Sequence, residues 1–105
     1  MSKRLKDNKT FINLLLKSNR KDARATLKSA NKNQLQTLAE IFYNIGVLPV
    51  DSNIKTKIRR YKPILYKYIY NPYIRPTLVN KHYKVILKTL MLIKDFLKLI
   101  LDEKV

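Results

Sequence analysis

The feature that most constrains the fold is a helical repeat of apolar residues in the middle of the chain. These side chains recur at intervals of four, three, four and three residues, at Ile54, Ile58, Tyr61, Leu65 and Tyr68. Because an α-helix completes a turn in about 3.6 residues, this spacing places all of them on one face. Residues 51–73 are therefore expected to form a central helix that packs through this face.

Pro63 falls inside the central helix but leaves its apolar spacing unbroken. A proline in a helix interior removes one backbone hydrogen bond and clashes with the preceding turn, at a cost of roughly 3 kcal/mol. We therefore expect either a kinked helix or two abutting helices, with Asp51 or Ser52 as the N-cap.

The rest of the chain also has helical patterns. Short helices are expected near residues 10–17 and 20–30, and a third helix follows a cap at Asn31 or Asn33 and ends near Gly46. The last helix, roughly residues 78–102, has an apolar face wider than half its circumference. No sustained period-two alternation and no hairpin signal is present. The sequence predicts an all-α fold, a compact bundle of four to five helices with a long apolar C-terminal helix.

A chain of 105 residues is long enough for one domain with a modest core. Residues 1–9 are polar and basic, and we expect them to form a flexible N-terminal arm. Residues 10–105 are expected to form a single helical domain.

The charge of the chain is strongly unbalanced. It contains 23 Lys and Arg residues against 7 Asp and Glu residues, for a net charge of +16 at pH 7, and residues 52–94 include no acid. Such an excess attracts polyanions, with nucleic acid first and anionic membranes second. The hydrophobic content of 46% is too high for a disordered basic tail. The composition therefore favours a folded domain that binds nucleic acid, most simply double-stranded DNA.

Two basic sets are candidates for phosphate contact. The first lies off the apolar face of the central helix and consists of Lys55, Lys57, Arg59, Arg60, Lys62 and Lys67. The second lies on the predicted second helix and consists of Arg20, Lys21, Arg24 and Lys28. Arg59 and Arg60 are the pair expected to make bidentate contacts with phosphate or guanine. The alternative is that both sets form only a solvated surface.

Three tyrosines lie off the apolar face of the central helix, at Tyr66, Tyr70 and Tyr73. Exposed tyrosine rings stack on nucleic-acid bases, and their hydroxyl groups bond to phosphates. The alternative, which we favour, is that these tyrosines lie in the core or in an interface, with their hydroxyl groups solvated.

The wide apolar face of the last helix suggests contact with another subunit. Leu92, Phe96 and Leu99 are the candidate interface residues. Docking on a membrane surface is the alternative, but it is not expected because the bundle needs this helix for its core.

Catalytic and metal sites are not expected. The chain has no cysteine, one histidine and one glycine, so it lacks the clustered ligands of a metal site and a glycine-rich phosphate loop. No serine has a basic partner nearby, and no pair of acids has acid–base character. We predict a protein that is not an enzyme and uses no cofactor or metal. The apolar runs are too short or too interrupted for a secretion signal or a membrane span.

Four stretches share their order and spacing with a known group of proteins. They are LLLKSNRKDARATLKSA (14–30), NQLQTLAEIFYNIGVLP (33–49), IKTKIRRYKPILYKYI (54–69) and RPTLVNKH (75–82). Over this region, about two thirds of the chain, it resembles the short basic proteins encoded by Maverick/Polinton-type DNA elements and adintoviruses. The resemblance implies a viral or transposon-borne protein located in the virion or in the host nucleus or cytoplasm.

The function predicted from the sequence is DNA binding of low sequence specificity, to package or organise a viral or mobile-element genome. A different class of function is a small capsid-associated or assembly protein that uses the C-terminal helix. A helix-turn-helix regulator, with the central helix in a major groove, is the third hypothesis.

Overall fold

The computed structural model describes residues 3–45 and 51–101. These residues form nine α-helices and one short 3₁₀ segment, with no β-strand among them. The helices are α1 (Lys3–Asp7), α2 (Lys9–Lys17), α3 (Arg20–Lys28), α4 (Lys32–Asn44), α5 (Ser52–Arg59), α6 (Lys62–Tyr70), α7 (Arg75–Lys81), α8 (Tyr83–Leu92) and α9 (Lys94–Leu101). The all-α prediction is confirmed, whereas the predicted number of four to five helices is wrong.

Residues 3–9 are the described part of the predicted N-terminal arm, and residues 3–7 form helix α1. Helix α1 packs against α2 and α4, and Arg4 forms an ion pair with Glu40 of α4. The side chain of Asn8 is buried and donates to the hydroxyl oxygen of Thr37 at 3.0 Å. The partners that order this region lie 29 and 36 positions further along the chain, where local sequence patterns cannot reveal them.

Side-chain caps start helices α3 and α4. The side-chain oxygen of Asn19 accepts a hydrogen bond from the backbone N–H of Asp22 at 2.8 Å. Asn31 and Gln34 form a reciprocal capping box at the start of α4, with bonds of 2.8 and 2.9 Å. Because such a box satisfies two backbone N–H groups, Asn31 is the cap of this helix. The predicted cap at Gly46 lies outside the described residues.

The central helix consists of two abutting helices, α5 and α6. Asp51 caps α5 by accepting from the backbone N–H of Asn53 at 2.7 Å. Helix α5 ends with a tight bond from the N–H of Tyr61 to the carbonyl of Ile58 at 2.8 Å. Pro63 is the second residue of α6. Proline is tolerated there because the first backbone N–H groups of a helix have no acceptor inside it.

The long C-terminal helix predicted for residues 78–102 is not present. Helices α7, α8 and α9 replace it, with breaks at His82 (φ −123°, ψ 31°) and Ile93 (φ −105°, ψ 16°). A straight helix of that length would extend about 37 Å, whereas the longest dimension of the molecule is 33 Å. The breaks let the apolar residues follow the core. Within the described residues, no helix is both long and apolar enough to cross a bilayer.

The core contains the apolar residues that the helical spacing predicted. Ile58, Leu65 and Tyr68 are buried, and Ile54 and Tyr61 pack against the core at its margin. From the C-terminal part, the core receives Ile86, Leu90, Ile93 and Leu97. The radius of gyration is 12.7 Å, which is typical of a compact domain of about 100 residues.

Candidate nucleic-acid interface

The outer sides of α5 and α6 carry five exposed cations: Lys57, Arg59, Arg60, Lys62 and Lys67. We call this set the α5–α6 basic surface. The two helices bury their apolar faces, so the basic side chains between those positions project into solvent. None of the five forms an ion pair within the described residues. Lys55, the sixth predicted residue, is half-buried.

The junction of the two helices concentrates this charge. Arg59, Arg60 and Lys62 lie within four consecutive positions across the break between α5 and α6. All three are exposed, and the acid-free stretch continues on both sides of them. Unneutralised cations at this density attract phosphate groups.

Two tyrosines extend the surface along α6. Tyr66 and Tyr70 are 51% and 64% exposed, so they are not core residues. Their rings meet edge to face, with centroids 6.0 Å apart and planes at 83°. The ammonium group of Lys62 lies 5.1 Å from the centroid of the Tyr66 ring. Lys62, Tyr66 and Tyr70 thus follow one another at intervals of four residues, so one cation and two accessible aromatic rings share one side of α6. Surfaces that bind nucleic-acid strands combine the same two groups.

The second basic set lies on a different part of the bundle. Arg20, Lys21, Arg24 and Lys28 are all exposed on α3. Helix α3 packs against α2, α7 and α8, whereas α5 packs against α8, and α6 packs against α4 and α7. The guanidinium carbon of Arg24 lies 4.3 Å from the ring centroid of Tyr83 in α8. The two basic sets therefore share neighbouring helices but do not form one helix face.

Arg75 is a residue that the sequence interpretation did not assign to any site. It is only 5% exposed, and its Nε and Nη2 atoms donate to the carbonyls of Tyr68 and Ile69, both at 2.8 Å. Its Nη1 atom donates to the side-chain oxygen of Gln36. Arg75 thus caps the negatively polarised C-terminal end of α6. The signal in the sequence is a cation five residues after the end of that helix.

The charge of Arg75 also affects the pKa of Tyr68. Burial raises the pKa of the Tyr68 phenol above its usual value, and the nearby charge of Arg75 partly opposes this shift. The phenol hydroxyl donates to the carbonyl of Leu35 at 2.8 Å, so the neutral form has a hydrogen-bond partner. Tyr68 is therefore a structural residue beneath the surface.

The three predicted interface residues differ in their exposure. Leu92 and Phe96 are half-buried, whereas Leu99 is 74% exposed on α9. Leu99 is the residue of the three that is most accessible to a second molecule.

Groups that could hold a metal are absent from the part of the chain that the structure describes. No three His, Asp or Glu side chains lie close enough together there to bind an ion. His82 is half-buried at the break between α7 and α8.

Among known proteins, no protein-family model, curated protein or solved structure matches the chain.

Proposed function

We propose that this protein binds duplex DNA with low sequence specificity, to package or organise a viral or mobile-element genome. The α5–α6 basic surface carries the proposal, because its five exposed cations form no ion pairs within the described residues. The proposed class of genome comes from the resemblance to proteins of Maverick/Polinton-type elements.

The affinity would come from neutralising phosphates. Each phosphate that a protein cation neutralises releases condensed counterions, so the logarithm of the binding constant falls with the logarithm of the salt concentration by about 0.9 per contact. Five contacts would give a slope of about −4.5. Long, solvated Lys and Arg side chains follow the backbone of any sequence, which accounts for the low specificity.

Reversing the charges at the helix junction tests this proposal. We expect Arg59→Glu/Arg60→Glu to weaken duplex binding at least tenfold in 100 mM NaCl and to reduce the salt slope by about 2, since two phosphate contacts are lost. Fluorescence anisotropy with two unrelated duplexes measures both quantities, and circular dichroism checks that helicity is retained.

A matched control separates the local site from net charge. Lys9→Glu/Lys17→Glu on α2 changes the net charge by the same amount, and both lysines are exposed. This variant should keep most of the affinity. Equal losses in the two variants would contradict a site at the α5–α6 basic surface. Tight binding to one sequence would instead indicate a helix-turn-helix regulator.

A second candidate function is assembly through contact between copies of this chain. The observation that favours it is Leu99, a large apolar side chain that is 74% exposed on α9. Exposed leucines are common singly, but half-buried Phe96 lies three residues before Leu99 on α9, and half-buried Leu92 ends the preceding helix. Failure to bind DNA even at low salt would leave this function in place of the first.

A further inference from the structure

An open groove lies on another part of the molecule, between the start of α4 and the segment that joins α6 to α7. Its volume is about 510 Å³, which is within the range of small-molecule sites. It shares no residue with the α5–α6 basic surface. Its lining includes three basic residues, Arg4, Lys32 and Arg75, and the ring of Tyr73 between Pro72 and Arg75.

The charges of this groove are unbalanced. The charge of Arg4 is balanced by its ion pair with Glu40, whereas Lys32 and Arg75 form no ion pair within the described residues. No acidic residue is among the described residues that line the groove. A buried cation without a carboxylate is unfavourable unless other groups compensate it. The two carbonyls at the end of α6 and the Tyr68 ring, whose centroid is 5.4 Å from the guanidinium carbon, compensate Arg75 in part, and a bound anion would add a full negative charge.

Arg75 also has spare hydrogen-bonding capacity. A guanidinium group has five N–H donors. In Arg75, three of them donate to the carbonyls of Tyr68 and Ile69 and to the side-chain oxygen of Gln36. One N–H therefore remains on each of the two terminal nitrogens. Each of these N–H groups can donate to an oxygen of a phosphate. Since the side chain is held on three sides, its orientation is fixed before a ligand arrives.

The groove also offers a surface for a flat ring. Tyr73 is 96% exposed, so its ring is free on both faces. Prolines 72 and 76 add apolar wall on either side of Tyr73 and Arg75. An aromatic ring beside a phosphate-binding cation matches a base that is linked to a phosphate.

We propose that this groove binds a nucleoside monophosphate unit, with the phosphate on Arg75 and Lys32 and the base on Tyr73. The unit is either a free nucleotide or the 5′-phosphorylated end of a DNA strand. The two sources share one chemistry, a phosphate monoester attached to a nucleoside. The site is independent of duplex binding by the α5–α6 basic surface.

Two pairs of ligands, each with and without the phosphate, test the proposal. In the first pair, calorimetry compares dAMP with deoxyadenosine and tests the free nucleotide. In the second pair, fluorescence anisotropy compares an eight-nucleotide dT strand with and without a 5′-phosphate and tests the strand end. We expect the phosphate to strengthen binding at least tenfold in at least one pair. A preference in the first pair identifies a free nucleotide, and a preference only in the second identifies a strand end. No preference in either pair overturns the proposal.

Two substitutions test whether the ligand binds in this groove. Lys32→Glu should weaken the preferred ligand at least tenfold, and it should not unfold α4, because an acid in the first turn of a helix is stabilising. Tyr73→Ala should weaken that ligand at least fivefold without changing the affinity for inorganic phosphate. Lys9→Glu and Tyr43→Ala are controls at exposed positions outside the groove. Unchanged binding in both groove variants overturns the proposal.

The Arg59→Glu/Arg60→Glu variant separates the two proposals. It should keep the affinity for the preferred groove ligand while losing duplex DNA, because the groove does not include these arginines. Parallel loss of both activities in this variant would overturn the independence of the groove.

Discussion

At the scale of single residues, the contacts of Tyr68 connect three helices of the molecule. This side chain is completely buried, donates to the carbonyl of Leu35 in α4, and meets the Phe42 ring edge to face at 5.5 Å. Its own carbonyl accepts from Arg75. One residue of α6 thus joins α4, α6 and α7 beneath the basic surface, so we expect the arrangement of that surface to depend on it.

The Tyr68 phenol makes stability depend on alkaline pH. Its pKa in the folded state is raised above the ordinary value of 10.0. Above pH 10 the unfolded chain therefore loses this proton while the folded chain keeps it, and stability falls as the pH rises, by at most about 1.4 kcal/mol per pH unit. Below pH 10 this contribution to stability is fully present.

Urea denaturation of the Tyr68→Phe variant at pH 7 and pH 11 isolates this group. At pH 7 the variant should be less stable by about 1 kcal/mol, because it loses the bond to Leu35. At pH 11 the difference should shrink or reverse, since phenylalanine has no proton to lose. The exposed Tyr66→Phe variant should show no such change, and a constant difference for Tyr68→Phe would contradict the raised pKa.

The sequence could predict some residues but not others. Tyr68 was assigned to the core because its apolar spacing is local, and its burial confirms this. Arg75 could not be placed in the same way, because its partner Gln36 lies 39 positions away. The rule that basic residues are exposed fails there. A contact between distant segments, and not composition, decides where such a residue lies.

At the scale of helices, Pro63 shows how one residue divides a continuous apolar pattern. In a single helix the residue at position 63 would donate its N–H to the carbonyl of Arg59, and proline has no such group. The chain avoids this conflict by ending α5 at Arg59 and starting α6 at Lys62. The apolar spacing survives because both helices face the same core.

Replacing Pro63 with alanine tests whether this proline lies in the first turn of a helix or in a strained helix interior. At the first turn of α6, the change should lower the free energy of unfolding by less than about 1 kcal/mol, since alanine only makes the unfolded chain more flexible. In a strained helix interior, the same change would raise stability by about 3 kcal/mol. Urea denaturation measures the difference. Pro76→Ala is the matched control, because Pro76 has the same position in α7.

The C-terminal helices show what apolar periodicity can predict, which is the buried side chains, and what it cannot, which is where a helix breaks. The spacing of Ile86, Leu90, Ile93, Leu97 and Ile100 predicts that these side chains enter the core. The first four are buried, and Ile100 is half-buried. The spacing could not predict the breaks at His82 and Ile93. Neither residue is a glycine or a proline, and the size of the bundle is set by helices from elsewhere in the chain.

At the scale of the whole molecule, the net charge of +16 opposes contact between copies of the chain. Salt screens this repulsion, whereas it leaves apolar contacts intact. If Leu99 mediates association, the average mass in solution should therefore rise between 50 and 500 mM NaCl. This direction is opposite to the weakening of DNA binding by salt.

Sedimentation analysis at the two salt concentrations checks this expectation. The Leu99→Lys variant should remain monomeric in both, because it places a charge in the contact. Tyr43→Lys alters another exposed large side chain, on α4, and should associate like the unmodified protein. A monomer at both concentrations for the unmodified protein would remove the assembly function.

The short length of the helices has a further consequence. They span 5 to 13 residues, and isolated helices of that size have little stability in water. The cationic surface therefore exists only while the entire domain is folded. Under the proposed function, DNA stabilises the native state to the extent that it binds the folded surface more tightly than the unfolded chain, so its concentration affects the fraction of molecules that resist proteolysis. The supply of genome would thereby regulate the lifetime of the protein that organises it.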